Sequence, residues 1–176
     1  MSAIRLVKNV KATSVTSVSV TDCFTDDFII YKLVAKNVVS SGSFEELSMR
    51  LINSSGTIDT QSNYQYAFKE LRSSTTYGNG KSTSSNTIIR TMRTGSGATS
   101  SGGNVVYFYR PFDSSSYTGL SYEVAAHSSG TPQFGGQKGF AVHTVESSIT
   151  GFQYFVSSNQ ITNIELDIYG IRIDWC

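Results

Sequence analysis

The sequence predicts an all-β protein, a single antiparallel β-sandwich of jelly-roll-like topology with about eight to ten strands. Apolar and polar residues alternate in short segments along the whole chain, as expected for strands that bury one face. Clusters of Ser, Gly and Asn, which favour turns, separate these segments. No long segment repeats with the helical period, so a second sheet is the expected cover for the buried faces.

The alternating segments extend from one end of the chain to the other. The first contains Ile4, Leu6 and Val10. The later ones are 18–20, 28–39, 47–51, 64–68, 87–93, 104–110, 120–127, 140–145, 149–156 and 161–173. Segment 28–39 has few polar interruptions, which is typical of a strand covered on both faces.

Turn-forming residues predict where these strands end. Segments 40–43, 53–56 and 77–80 carry Gly, Ser or Asn and are predicted to be turns. Segment 94–103 has the Gly/Ser composition of a linker. Because the strand pattern continues on both sides of it and neither half has a core of its own, it is interpreted as a surface loop. Segment 128–139 is predicted to be a second long loop.

Composition limits the class of protein. The chain has 176 residues, and residues 1–176 are predicted to form one domain. Charged residues make up 15%, and the net charge of +1 offers no basic surface for a nucleic-acid backbone. No apolar run is long enough for a membrane helix. The N-terminal residues lack the apolar core of a signal peptide, so synthesis in the cytoplasm is expected.

Cys23 and Cys176 are the two cysteines. Two reduced thiols are the favoured interpretation for a protein made in the cytoplasm. A single disulfide between them is the alternative.

Residues for catalysis are scarce, and the protein is predicted not to be an enzyme and to need no cofactor. His127 and His143 are the only histidines, and each lies at a predicted strand end. Hydrogen-bonded or surface histidines are favoured over a general base or a metal ligand. No nucleophile elbow, phosphate-binding loop or zinc motif occurs in the sequence.

Three acidic segments carry carboxylates that a metal or catalytic site would require. Segment 22–27 carries three aspartates and could offer oxygen ligands to calcium, but a solvated turn is favoured because the spacing is not that of a calcium loop. Segment 45–46 is predicted to be an exposed loop edge. Segment 165–167 is predicted to place two carboxylates on the outer face of the last strand, an unsuitable arrangement for glycoside cleavage.

An aromatic cluster surrounds segment 107–109. If Val106 and Phe108 face the core, alternation directs Tyr107 and Tyr109 outward. Outward tyrosines can stack on sugars or anchor a protein interface, while ordinary sheet packing is the alternative.

The C-terminal segment 149–172, ITGFQYFVSSNQITNIELDIYGIR, resembles the C-terminal hairpin of small jelly-roll structural proteins of tailed bacteriophages. The matching positions are Ile149, Gly151, Phe152, Ile161, Ile164, Leu166, Tyr169, Gly170 and Ile171. Segments 31–38 and 47–72 also resemble strands of phage capsid-decoration and fibre proteins. The resemblance implies a non-enzymatic virion part, often a trimer.

The predicted function is therefore a capsid decoration (cement) protein on the outer surface of a phage head, bound to the major capsid protein as a homotrimer. The alternative is a tail fibre or spike, or a carbohydrate-binding module that recognises a receptor glycan. No nucleic-acid or membrane partner is expected. The predicted interface residues are Ile4 and Leu6 in the N-terminal strand, with Tyr107 and Tyr109.

Overall fold

A computed structural model describes residues 4–43, 45–73, 77–96, 102–128 and 133–172. Strands account for most of these residues. They are β1 (Ile4–Ala12), β2 (Ser17–Val20), β3 (Ile30–Ser40), β4 (Glu45–Asn53), β5 (Tyr64–Arg72), β6 (Gly78–Ser85), β7 (Ile88–Thr94), β8 (Gly102–Tyr109), β9 (Thr118–Ser128), β10 (Gln133–His143), β11 (Ile149–Val156) and β12 (Ile161–Ile171).

The strands form two antiparallel sheets that pack as a sandwich. The large sheet has eight strands in the order β1-β12-β3-β8-β9-β10-β5-β6, and the small sheet has four in the order β2-β11-β4-β7. No residue in the described ranges is helical. The prediction of an all-β, jelly-roll-like sandwich is confirmed, with twelve strands in place of the eight to ten expected.

The core is held by aromatic rings from both sheets. Phe108 of β8 and Phe152 of β11 are fully buried, and their ring centroids lie 5.7 Å apart. Phe24, from the segment between β2 and β3, lies 4.8 Å from the Phe108 ring. These three rings join the large sheet, the small sheet and the connection between them.

A buried polar contact also joins the sheets. Asn104 of β8 donates one hydrogen bond to the Tyr154 hydroxyl of β11 at 2.7 Å and another to the Thr91 carbonyl of β7 at 2.6 Å. Burial raises the pKa of Tyr154, so its hydroxyl stays neutral. These partners remove much of the cost of placing an amide and a phenol in the interior.

An ion-pair network closes the sandwich at one end. Glu70 of β5 is buried and contacts Arg93 of β7 across the sheets, as well as Arg72 at 2.7 Å. Glu46 of β4 pairs with Arg90 at 2.7 Å and with Arg93 at 2.8 Å. The prediction that 45–46 is an exposed loop edge is therefore wrong, because these residues begin β4, where Glu45 is buried and accepts a hydrogen bond from Asn159, and Glu46 is partly covered by its arginine partners.

Two predicted loops contain strand. Residues 78–80 belong to β6, and β10 begins at Gln133, within the segment predicted as the loop 128–139. Both segments are rich in Gly, which is usually unfavourable in strands. Gly80 and Gly139 are required here, because a side chain at either position would overlap the ring of Phe68 or Tyr122.

The prediction for segment 28–39 is also corrected. β3 buries Tyr31, Leu33 and Ala35 against the core, while the alternate side chains are only partly covered. One face of β3 therefore packs on the small sheet, and the other belongs to the outer surface of the large sheet.

The C-terminal segment is not a hairpin. β11 pairs with β2 and β4 in the small sheet, whereas β12 lies between β1 and β3 in the large sheet. The turn between them carries the chain from one sheet to the other. Gly170 of β12 leaves space for the Phe28 ring, which covers the position that a side chain would occupy.

We expect Phe152→Ala to lower the free energy of unfolding by about 3–5 kcal/mol, because it leaves a cavity between the two sheets. Phe140→Ala is the matched control, since this ring is 58% exposed on β10, and its effect is expected to be below about 1 kcal/mol. Urea denaturation followed by fluorescence measures both values. Equal losses in the two variants would contradict the placement of the core.

Candidate functional site

The outer face of the large sheet carries the aromatic residues that the sequence directs outward. Val106 and Phe108 are fully buried, while Tyr107 is partly exposed and Tyr109 is 41% exposed. The alternation along β8 therefore has the predicted phase. Each tyrosine presents its ring and hydroxyl on the side of the sheet that faces away from the core.

Strand register arranges this face in rows, because directly paired residues point to the same side of a sheet. The first row runs across Ile4, Ile171, Ile30, Tyr109, Gly119 and Val142. The second row runs across Leu6, Tyr169, Lys32, Tyr107, Ser121, Phe140 and Ala67. These two rows make one end of the outer face apolar and aromatic.

All four predicted interface residues belong to these rows. Ile4 and Tyr109 lie in the first row, and Leu6 and Tyr107 in the second. Ile4 and Leu6 are 51% and 52% exposed at the edge strand β1. Phe140, which sequence reasoning did not select, is the most exposed ring of the two rows.

A groove lies at the centre of this surface, between Tyr107 and Phe140. Ser121 of β9 stands between the two rings in the second row and forms the floor. The groove has a volume of about 460 Å³. Since two strand spacings separate β8 from β10, the two backbones lie about 10 Å apart.

Polar groups surround the groove. The Tyr109 hydroxyl lies 3.0 Å from the Ser121 hydroxyl, so these two share a hydrogen bond beside the floor. The Lys32 ammonium lies 6.0 Å from the centroid of the Tyr107 ring, at the limit of a cation–π contact. Lys138 donates to Glu123 at 2.7 Å on the opposite side. This hydrogen bond raises the pKa of Lys138 and keeps its charge fixed at neutral pH.

A second depression continues the groove along β8 and β9. It has a volume of about 700 Å³, and Val105 and Glu123 line both depressions. Gly103 and Ala125 are paired directly at its floor, where they add almost no side chain. Together the two depressions could hold an extended ligand.

The predicted carboxylates of β12 face outward but are neutralised. Lys11 lies 3.2 Å from Glu165 and lowers its pKa. Lys36 lies 2.5 Å from Asp167, lowers its pKa, and also contacts Glu165. Asn9 completes this cluster through a hydrogen bond to Asp167. These groups join β1, β12 and β3 and are separate from the groove.

His143 is a hydrogen-bonded histidine at the end of β10, as favoured by the sequence. Its Nε2 lies 2.6 Å from the Asp59 carboxylate, and the Tyr64 ring lies 5.0 Å away. The other ring nitrogen, Nδ1, is buried and has no hydrogen-bond partner among the described residues. The contact joins the segment after β4 to the end of β10, and Asp59 gave no sequence signal because the contact spans 84 positions.

The other candidate residues from the sequence lie in a loop and near a strand end. No group of three His, Cys, Asp or Glu side chains there could hold a metal ion. Segment 22–27 is a loop whose three aspartates are exposed, in agreement with the solvated turn. His127 is partly buried at the second depression. No described helix is long and apolar enough to cross a membrane.

Cys23 is a free, fully buried thiol in the loop before β3. Burial raises its pKa to about 12, so it is protonated and unreactive at neutral pH. Cys176 lies outside the described residues.

Comparisons with known proteins leave the family open. No protein family model matches the chain, and no curated protein matches it. Among solved structures, exo-inulinase from Aspergillus awamori is similar over 97% of this chain and 30% of its own, with 12% identity and a TM-score of 0.48. Galectin-Ib from Xenopus laevis is similar over 85% of this chain and 98% of its own, with 10% identity and a TM-score of 0.32.

A third similar structure is the CBM2 module of the evolved Dit protein of Lactobacillus casei BL23 phage J-1. It covers 91% of this chain and 70% of its own, with 10% identity and a TM-score of 0.26. Scores of this size assign no function to the chain.

We expect Asp59→Asn to reduce the acid sensitivity of the fold. Burial opposes ionisation of Asp59, but hydrogen bonds from Asn63, His143 and the Gln61 amide outweigh it and lower the pKa of Asp59. A lowered folded-state pKa gives stability that is present above the unfolded value, near 4, and is lost as pH falls through the folded value.

The measurement is urea unfolding of wild type and variant between pH 7 and pH 2.5. The variant should be less stable at pH 7 and should lose less stability on acidification. Asp26→Asn, at an exposed position, is the control. Parallel pH profiles for wild type and Asp59→Asn would contradict the assignment.

Proposed function

We propose that this protein is a non-enzymatic binding domain that recognises carbohydrate through the outer face of its large sheet. The observation that carries the proposal is the groove between Tyr107 and Phe140, with Ser121 as its floor. It combines the exposed Phe140 ring and the partly exposed Tyr107 ring with hydroxyl and charged groups.

Sugars match this chemistry. The C–H faces of a pyranose ring pack against aromatic rings, and its hydroxyls need donors and acceptors at the rim. Lys32, Glu123 and Lys138 supply both kinds of group around the rings. The adjoining depression at Gly103 and Ala125 lets a longer chain continue along the strands.

The same groove is poorly suited to glycoside cleavage. Most glycosidases use two carboxyl groups on opposite sides of the bond. Glu123 is the single acidic side chain among the described residues that line the groove, and it is paired with Lys138. This arrangement favours binding without turnover and supports the proposal of a non-enzyme.

We expect the protein to retain glycans on an array, and expect Tyr107→Ala and Phe140→Ala each to weaken binding roughly tenfold. Loss of a buried aromatic contact of this kind costs on the order of 1–2 kcal/mol. Tyr117→Ala is the matched control, since this tyrosine is 52% exposed outside the groove. Calorimetric titration with the best array ligand gives the affinities. An equal loss in the control, or no glycan retained by the wild type, would refute the groove as a glycan site.

A virion structural role is the second candidate, and the apolar edge of the same face favours it. Ile4 and Leu6 expose half of their surface on β1, and the register continues them into Ile171 and Tyr169. Contiguous exposed apolar residues are typical of protein–protein interfaces. With the resemblance of segment 149–172, this supports a decoration protein, as a homotrimer docked on the major capsid protein. A receptor-recognition module on a fibre or spike would instead use the groove.

Removal of Ile4 and Leu6 side chains tests the second candidate. We expect the double variant Ile4→Ala, Leu6→Ala to remain folded but to lose binding to empty phage heads in co-sedimentation, and to form a smaller species in light scattering. Leu71→Ala, at a 61% exposed position on β5, is the control. These contacts are excluded if the wild type is a monomer and the double variant binds particles as tightly as the wild type does.

A further inference from the structure

The charge on the outer face is uneven around the groove. Lys32 of β3 flanks Tyr107 on one side of the groove, and Lys138 of β10 flanks Ser121 and Phe140 on the other side of it. In the register, Lys69 of β5 is directly opposite Lys138, and Lys81 of β6 is directly opposite Ala67 in the row of the groove.

Within the described residues, these lysines have few acidic partners. Glu123 pairs with Lys138, and no described acidic side chain forms an ion pair with Lys32, Lys69 or Lys81. Four lysines against one glutamate give this region a formal charge of +3. The whole chain has a formal charge of +1, so the remainder is net negative. Lys32 and Lys138 line the groove itself, and Lys69 and Lys81 lie beside it on β5 and β6, so this excess of positive charge lies mainly on one side of the groove.

The pairing of Lys69 with Lys138 is unfavourable for the isolated fold. Like charges directly opposite one another in a sheet destabilise the strand pair. Glu123 compensates the charge of Lys138, whereas Glu165 and Asp167 are held on β12 by Lys11 and Lys36, so Lys69 has no carboxylate partner among the described residues. An anionic ligand in the groove would relieve this repulsion.

We propose that the groove binds an acidic carbohydrate, a chain whose sugar rings carry carboxylate or sulfate groups. The sugar ring packs between Tyr107 and Phe140, and its acidic substituents meet Lys32 on one side and Lys69 and Lys138 on the other. This inference rests on the proposed glycan-binding function and adds the charge of the ligand.

The test uses two matched pairs of probes. The two members of a pair share one polysaccharide backbone, and only one member carries charge. The first pair is polygalacturonate and its methyl ester, and the second is dextran sulfate and dextran. Affinity electrophoresis and calorimetry give the dissociation constants at low and high salt. We expect one acidic member to bind more tightly than its neutral partner, with the difference shrinking as salt screens the charges.

Charge variants localise the effect. Lys32→Gln and Lys69→Gln should each weaken binding of the acidic probe roughly two- to fivefold, as expected for exposed charge pairs. Lys11→Gln is the control, because it removes the same charge from the same face at β1, where it pairs with Glu165. Phe140→Ala should weaken binding of the acidic probe more than either lysine variant.

Other outcomes overturn the inference in distinguishable ways. If charged and neutral partners bind equally, the groove is a glycan site without charge selection. The same conclusion follows if Lys32→Gln and Lys69→Gln leave the affinity unchanged while Phe140→Ala abolishes binding. Equal binding of poly-glutamate shows that charge alone, and no sugar, is recognised. Failure of the wild type to bind these probes or any array glycan removes the proposed function and this inference together.

Discussion

The contact between Phe108 and Phe152 is the interaction on which the rest of the structure depends. Phe108 comes from the middle of the large sheet and Phe152 from the middle of the small one, and both are fully buried. Because side chains alternate along a strand, burying Phe108 directs Tyr107 and Tyr109 to the opposite face. A shift of β8 by one residue would bury two tyrosines and expose two core residues. The sheet-to-sheet contact therefore also fixes the outer surface.

The two faces of the large sheet are held by different physical effects. The inner face is mostly apolar, and two of its polar side chains contact the small sheet directly, Asn104 through Tyr154 and Glu70 through Arg93. The outer face is divided between carboxylates of β12 that pair with Lys11 and Lys36, and lysines near the groove, of which only Lys138 has an acidic partner among the described residues. Pairing stabilises the first region, whereas the second leaves charged groups exposed. Uncompensated charge and exposed rings together are costly for a fold and useful for binding.

The edges of the large sheet limit how the protein can assemble. β1 at one edge carries Arg5, Lys8 and Lys11, and β6 at the other is short of apolar side chains. Positive charge along an edge opposes pairing with a second identical strand. The proposed association through the outer face, where Ile4 and Leu6 lie beside Tyr169, avoids such edge-to-edge pairing.

The sequence by itself determined the all-β class, the phase of β8 and the outward tyrosines. Side chains alternate between the two faces of a strand, so one buried residue fixes the face of every other residue in that strand. It also predicted an interface at Ile4 and Leu6, although not that they share two rows with Tyr109 and Tyr107. It missed β6 and the start of β10, since local propensity treats glycine as a turn former and cannot detect a ring packed against it. Only the tertiary structure decided the strand order, the ion pair of Glu46, the contact of Asp59 with His143 and the groove between Tyr107 and Phe140. Each joins residues distant in the chain, and long-range pairing depends on the packing of both sheets together.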